Sequence, residues 1–256
     1  MREVIVDMFP AEFSRYIEVF GGAGWVLFYK PRHASFEVYN DFNSNLANLF
    51  RMVRDKREEL IESLEFVLNS REDFEISLKL LAEKSEMSDL MRASHFFRVI
   101  RYSYGAGCDS FGCHPVDISR SFPLIRGCSE RLKEVVIENK DFQKLIEQYD
   151  RPEALFFADP PYFGTEDYYK DVGFTMENHF RLRETLGKIR GKFILTYNDC
   201  PFIRELYEGY YIHAVTRINN LALRSENYQP YHEIIITNYD PEQESASVKQ
   251  LSLFEN

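Results

Sequence analysis

The sequence has no Cys-x-x-Cys pair. Its four cysteines, Cys108, Cys113, Cys128 and Cys200, are scattered. Cys108, Cys113, His114 and Cys128 can be drawn as a zinc site, but their spacing fits no common pattern. Small buried thiols are expected instead, and no metal. No secretory leader is visible at Met1-Arg2-Glu3-Val4, and no apolar run approaches membrane-spanning length. The expected setting is a reducing cytoplasm with no membrane partner. Internal repeats are absent. Positive charge is also short: the net charge is −10, which weighs against a nucleic-acid partner, because phosphate needs local positive potential. The total hides a local reversal. Between Arg92 and Lys133 seven basic residues stand against Asp109, Asp117 and Glu130. That window is either a basic face or a mixed solvated surface.

What is present is an alternation of apolar strand-like runs with helical stripes over 256 residues. This is the signature of an α/β doubly wound sheet. One stretch organises it. Leu155-Phe156-Phe157-Ala158 reads as a buried parallel strand. Pro160 and Pro161 then stop it, since neither can donate to a ladder and the first restricts the residue before it. Asp159, the Pro160 carbonyl and the Tyr162 ring therefore gather at the carboxyl end of a strand, where ligands bind in open α/β sheets. The plain alternative is a strand-ending turn.

Upstream, Met1 to Phe13 read as the end of a helix and Tyr16 to Phe20 as a strand. Gly21-Gly22-Ala23-Gly24 follow, with an apolar helix start at Trp25-Val26-Leu27-Phe28. A glycine turn between strand and helix admits a ligand close to the backbone and aims N–H groups at it. A second strand, Phe36 to Tyr39, ends at Asn40-Asp41, so Asp41 lies 19 residues beyond Gly22. An acid at about that distance commonly accepts from ribose hydroxyls. Capping the next helix is an alternative, compatible role for Asp41.

Ser44 to Leu68 carry apolar residues at three-to-four spacing and read as helical core; Ser70 to Val99 are also mostly helical. Arg101 to Gly112 break the pattern with three glycines, two tyrosines and a phenylalanine. Such a loop suits contact with bases and phosphates, or is a simple connection. Glu134 to Asn139 then read as a strand and Asp141 to Gln148 as a helix. Beyond Tyr162, an aromatic and charged loop, 163–176, could serve as a lid. A helix at 177–189, a strand at 192–197, a short helix at 201–207 and a late antiparallel pair at 211–216 and 233–237 complete the pattern. A polar stretch after Tyr239 reads as a linker, before Gln250-Leu251-Ser252-Leu253-Phe254.

In this order, the elements resemble the DNA adenine-N6 methyltransferase family, Dam-like and S-adenosylmethionine-dependent. The likeness runs from about Tyr16 to Tyr239. It implies a Rossmann-like methyltransferase sheet formed by residues 1–60 and 134–239. A mainly helical target-recognition insertion would span 61–133, and a flexible tail 240–256. Phe20, Gly22 and Gly24 look like the cofactor glycine loop. Asp41 looks like the acid on the cofactor ribose, and Asp141 with Phe142 like the pair that meets its adenine. Asp159, Pro160, Pro161 and Tyr162 look like the catalytic motif.

The implied reaction moves a methyl group from S-adenosylmethionine to the N6 amino group of a flipped-out adenine in double-stranded DNA. Asp159 and the Pro160 carbonyl would draw the amino nitrogen toward tetrahedral geometry. Pro161 would stiffen the turn, and Tyr162 would stack on the base. Arg98, Arg101 and Tyr104 would contact DNA, in a restriction–modification or replication setting. Gln250, Leu251, Leu253 and Phe254 resemble the peptide that docks on a bacterial sliding clamp. The family normally carries a Gly-Lys stretch before the first helix, and Met1 stands where it would end. The alternatives are a catalytically weak DNA- and clamp-associated adaptor, or an RNA or cytosine-N4 methyltransferase.

Overall fold

The computed structural model describes residues 1–83, 86–105, 108–165, 173–217 and 231–244. The chain divides into two compact units, Met1–Phe42 with Lys140–Asn256, and Asn43–Asn139.

The first unit is built on a mixed sheet. Strand β1 is Arg15–Glu18, β2 Phe36–Asn40, β4 Ala154–Ala158, β5 Lys192–Asn198, β6 Tyr211–Arg217 and β7 Tyr231–Thr237. They run in the order β2-β1-β4-β5-β7-β6. β2, β1, β4 and β5 are parallel, and β7 is antiparallel to both β5 and β6. Every residue of β4 is buried, as a parallel strand covered on both faces demands. The chain runs outward from β1 to β2 and then returns past β1 to β4. That reversal opens a crevice at the carboxyl ends of β1 and β4. Register levels the three strand ends: Glu18 pairs with Tyr39 on one side and Phe157 on the other. The glycine turn, Asp41 and Asp159 thus emerge at the same edge. Helix α1 is Arg2–Asp7, and α7 (Phe142–Tyr149) packs against α8 (Met176–Leu186); α9 is Pro201–Leu206.

Local sequence corrects one expectation. The segment after the glycine turn is only a single 3₁₀ turn, Leu27–Tyr29. Pro31 explains the stop, because it holds Lys30 extended at φ −121°, ψ 156°.

The second unit holds α2 (Ser44–Asp55), α3 (Arg57–Glu62), α4 (Arg71–Ala82), α5 (Asp89–Tyr102), α6 (Phe122–Leu132) and strand β3 (Val135–Glu138). The expected single stretch from Ser44 to Leu68 breaks at Lys56, whose ψ of 45° is not helical. Asn43, Ser70 and Ser88 cap their helices through side-chain oxygens. This compact unit starts at Asn43, because α2 packs against α5 and α6; residues 61–133 lie within it. The loop after α5 is closed at its base: Tyr104 N–H donates to the Ser110 carbonyl and Gly112 N–H to the Tyr102 carbonyl, both at 2.7 Å. The four cysteines are free thiols. Among the described residues no His, Cys, Asp and Glu group is arranged to hold a metal, and no helix is long and apolar enough to cross a membrane.

Three tyrosines of the first unit bear on stability. Burial pushes the phenols of Tyr39, Tyr207 and Tyr239 well above their ordinary value of 10.0. Below that pH both folded and unfolded states keep these protons, so the stability is fully present. Above it the unfolded chain releases protons that the folded chain retains, and stability falls as pH rises. Denaturant titrations between pH 8 and pH 11 are expected to show this loss. Tyr207→Phe should flatten it at no cost near neutrality, because the Tyr207 hydroxyl has no hydrogen-bond partner among the described residues.

Candidate active site

The glycine turn is held from several sides. Val19 N–H donates to the Phe157 carbonyl at 2.8 Å, and Gly21 N–H to the Asn40 carbonyl at 2.7 Å. Gly22 adopts a φ of +49°, a region where side chains are strained. Its N–H donates to Asp41 Oδ2 at 2.9 Å, and its carbonyl accepts from the Tyr39 hydroxyl at 2.6 Å. A Cβ on Gly21 would lie 2.2 Å from the Tyr39 ring. Gly24 closes the turn, its N–H on the Gly21 carbonyl at 2.7 Å, without lining the cleft that the turn borders.

That cleft measures about 800 Å³, within the range of small-molecule sites. Asp41 lines it and does not cap the following helix; Asn43 does. On the opposite side Asp141 caps α7, accepting from Gln143 N–H at 3.1 Å, and accepts from the Arg181 guanidinium at 2.7 Å. The same guanidinium lies 4.2 Å from the centroid of the Phe142 ring, a cation–π distance. Phe20, Phe142 and Phe174 form an aromatic wall, with centroids 5.5 to 6.1 Å apart. Buried Asn40 joins the two sides: its Nδ2 donates to the Val19 and Lys140 carbonyls at 2.9 and 3.1 Å, and its Oδ1 accepts from Lys140 N–H at 2.8 Å.

Asp159 lines this cleft and a second cavity of about 320 Å³. Pro161 borders the first; Pro160 and Tyr162 border the second, together with Thr196 and buried Glu233. The turn is fixed at the Tyr162 carbonyl, which accepts from Thr165 N–H at 3.0 Å and from the Thr165 hydroxyl at 2.8 Å. Asn198 Nδ2 donates to the Phe163 carbonyl at 3.0 Å. The Thr196 hydroxyl donates to Asp159 Oδ1 at 2.5 Å.

The structure thus brings Phe20, Gly22, Asp41, Asp141, Phe142 and Asp159 around one cleft. In the second unit Arg98 is turned inward: its guanidinium donates to the Ser63 carbonyl at 3.2 Å and to the Ser94 hydroxyl at 3.3 Å, and burial lowers its pKa. Arg101 and Tyr104 are exposed. Gln250, Leu251, Leu253 and Phe254 lie outside the described residues, as do residues 166–172 of the expected lid. Sequence reading missed Asn40, Phe174, Arg181, Thr196 and Glu233. A pairing register for β5 and β7 would have exposed Thr196 and Glu233; Arg181 carries no local signal.

Residues 2–221 match the family described as D12 class N6 adenine-specific DNA methyltransferase. The chain is 28% identical to the Type II methyltransferase M1.LlaDCHI of Lactococcus lactis subsp. cremoris, an alignment covering 91% of this chain and 89% of that protein. It is 24% identical to the Type II methyltransferase M.CviBI of Paramecium bursaria Chlorella virus NC1A, over 80% of each chain. It is 23% identical to the Type II methyltransferase M.MjaIII of Methanocaldococcus jannaschii, over 88% of this chain and 89% of the other.

The glycine turn yields a stability test. Gly21→Ala must displace a fully buried ring whose hydroxyl is already engaged. Denaturant titration should show a loss of about 1–3 kcal/mol or more, against less than about 0.5 kcal/mol for an alanine at an exposed site away from the turn.

Proposed function

Because the chain belongs to the D12 class of N6 adenine-specific DNA methyltransferases, enzymes that use S-adenosylmethionine on DNA, we propose that its two cavities divide the reactants between them. The cofactor takes the cleft of about 800 Å³ and the target adenine the cavity of about 320 Å³. The observation that carries this reading is Asp159, the carboxylate that faces both.

The cleft's chemistry fits the cofactor. Three phenylalanines form a slot for a flat purine, Asp41 is an acceptor for ribose hydroxyls, and the Gly21–Ala23 backbone admits close approach. Glu18, Asp41 and Asp159 supply negative charge around a cationic ligand. When bound, S-adenosylmethionine supplies a methyl group on a positively charged sulfur. Asp141 and Phe142 hold the adenine end, with Arg181 fixing both. Phe20, Gly22 and Gly24 shape the turn.

The chain's own residues then act on the base. An adenine swung out of the duplex enters beside Tyr162, which stacks on it. Its amino group is a weak nucleophile, because its lone pair is delocalised into the ring. The Asp159 carboxylate and the Pro160 carbonyl accept its two hydrogens and localise that pair at nitrogen. An ordinary carboxylate is ionised near neutrality and serves as acceptor without being a strong base. Pro160 and Pro161 hold the acceptors at fixed spacing, and positioning supplies much of the rate. In the second unit, Arg101 and Tyr104 are the exposed members of the proposed DNA contact, and residues 61–133 carry target recognition. The Type II names of the relatives support a site-specific role in restriction–modification, and the family match does not favour the adaptor, RNA or cytosine alternatives.

Asp159→Ala is expected to cut methyl transfer to duplex DNA by about 100-fold or more, with S-adenosylmethionine affinity within about three-fold by calorimetry. Turnover at the wild-type rate would refute the assignment. We also propose that Gln250, Leu251, Leu253 and Phe254 dock on a sliding clamp, a reading supported by their sequence. Deleting residues 250–256 should abolish clamp capture in a pull-down while leaving methylation of short duplexes intact. Retained capture ends that proposal.

A further inference from the structure

We infer that Thr196 is a positioning residue for methyl transfer, one whose hydroxyl sets the rotation of the Asp159 carboxylate. The inference rests on the reading of Asp159 as acceptor for the target amino group.

Strand register creates the contact. β4 and β5 are parallel, with Phe157 opposite Ile194 and Ala158 opposite Leu195. One step further brings Asp159 level with Thr196, beyond the point where the two prolines end β4. On its other side Thr196 is paired with Ile235 of β7, so its backbone is held in the ladder from both directions. Its side chain is 1% exposed and β-branched, which restricts rotation about Cα–Cβ. The hydroxyl therefore has a direction fixed by the sheet.

A hydroxyl has one hydrogen to give. The Asp159 Oδ1 lies at 2.5 Å and the Ala158 carbonyl at 3.4 Å, so the hydrogen goes to the carboxylate. Hydrogen bonds to ionised acceptors are the short, strong ones.

Asp159 needs such an anchor. Unlike the strand before it, it is exposed, so burial alone does not set its side-chain rotation. The prolines fix the backbone on its carboxyl side, but they leave rotation about Cα–Cβ and Cβ–Cγ undetermined. With Oδ1 tied to Thr196, the plane in which the carboxylate meets the target amino group is set from β5. The Pro160 carbonyl, restricted in direction because Pro161 follows it, supplies the second acceptor. One acceptor is thus set by a side-chain bond and the other by covalent geometry.

A packing role and an orienting role predict opposite orders for three variants. Thr196→Val keeps the shape and removes the hydroxyl; Thr196→Ser keeps the hydroxyl and removes a methyl; Thr196→Ala removes both. With the full-length chain and duplex DNA, Thr196→Val and Thr196→Ala should lower kcat by roughly 10- to 100-fold. The KM for S-adenosylmethionine, its calorimetric affinity and the melting temperature should stay close to wild type for Thr196→Val. Thr196→Ser should remain within about five-fold in kcat. If Val is fast while Ser and Ala are slow, the residue only fills space and the inference falls. It also falls if Thr196→Val acts solely through cofactor affinity, or if Ser is as slow as Val. Asp159→Asn, assayed alongside, separates the two claims. If it is inactive while Thr196→Val is fast, only the positioning role is lost. If it turns over like wild type, the acceptor role of Asp159 goes first.

Discussion

Parallel pairing of β1 with β4 is the constraint from which the rest follows. It puts Glu18 opposite Phe157 and so delivers the glycine turn and Asp159 to one edge of the sheet. A slip of one residue would turn every side chain of β4 to the other face, moving Phe156 and Leu155 out of their layers. The register is therefore secured by the same apolar packing that makes β4 buried throughout. The chemistry at the edge is positioned by hydrophobic contacts below it.

Above that edge, polar groups finish what the strands begin. Asp41 spends one oxygen on the Gly22 N–H, so the acid proposed for the cofactor also stiffens the turn opposite. Asp141 is likewise committed to its helix and to Arg181. These carboxylates are held by donors before any ligand arrives, which lowers the ordering cost of binding.

Much of this was legible in the residues. The apolar run before Asp159 and the paired prolines define a strand end wherever they occur, and the distance from Gly22 to Asp41 spans one βαβ half. The late antiparallel pair also read correctly, because both runs are rich in β-branched and aromatic residues. What could not be read depends on partners remote in sequence. Arg181 meets Asp141 across 40 residues, and Thr196 meets Asp159 across 37; neither carries a mark of its own. The 3₁₀ turn at Leu27 failed for the opposite reason: an apolar start looked helical, and the brake, Pro31, lay just beyond it. Arg98 shows the limit of charge counting, since one nitrogen of its guanidinium is engaged by the Ser63 carbonyl and the Ser94 hydroxyl, contacts that its place in a basic window does not announce.

Asn40 has a wider consequence. The chain leaves the first unit after Phe42 and re-enters at Lys140, and the Asn40 amide clasps Lys140 through both its nitrogen and its oxygen. Exit and return are thus anchored to one another beside Asp41 and Asp141, whatever lies between them. The strand ends on either side of residues 43–139 are therefore pinned from within the first unit, without a contribution from that segment. A change confined to residues 43–139 then leaves this staple in place.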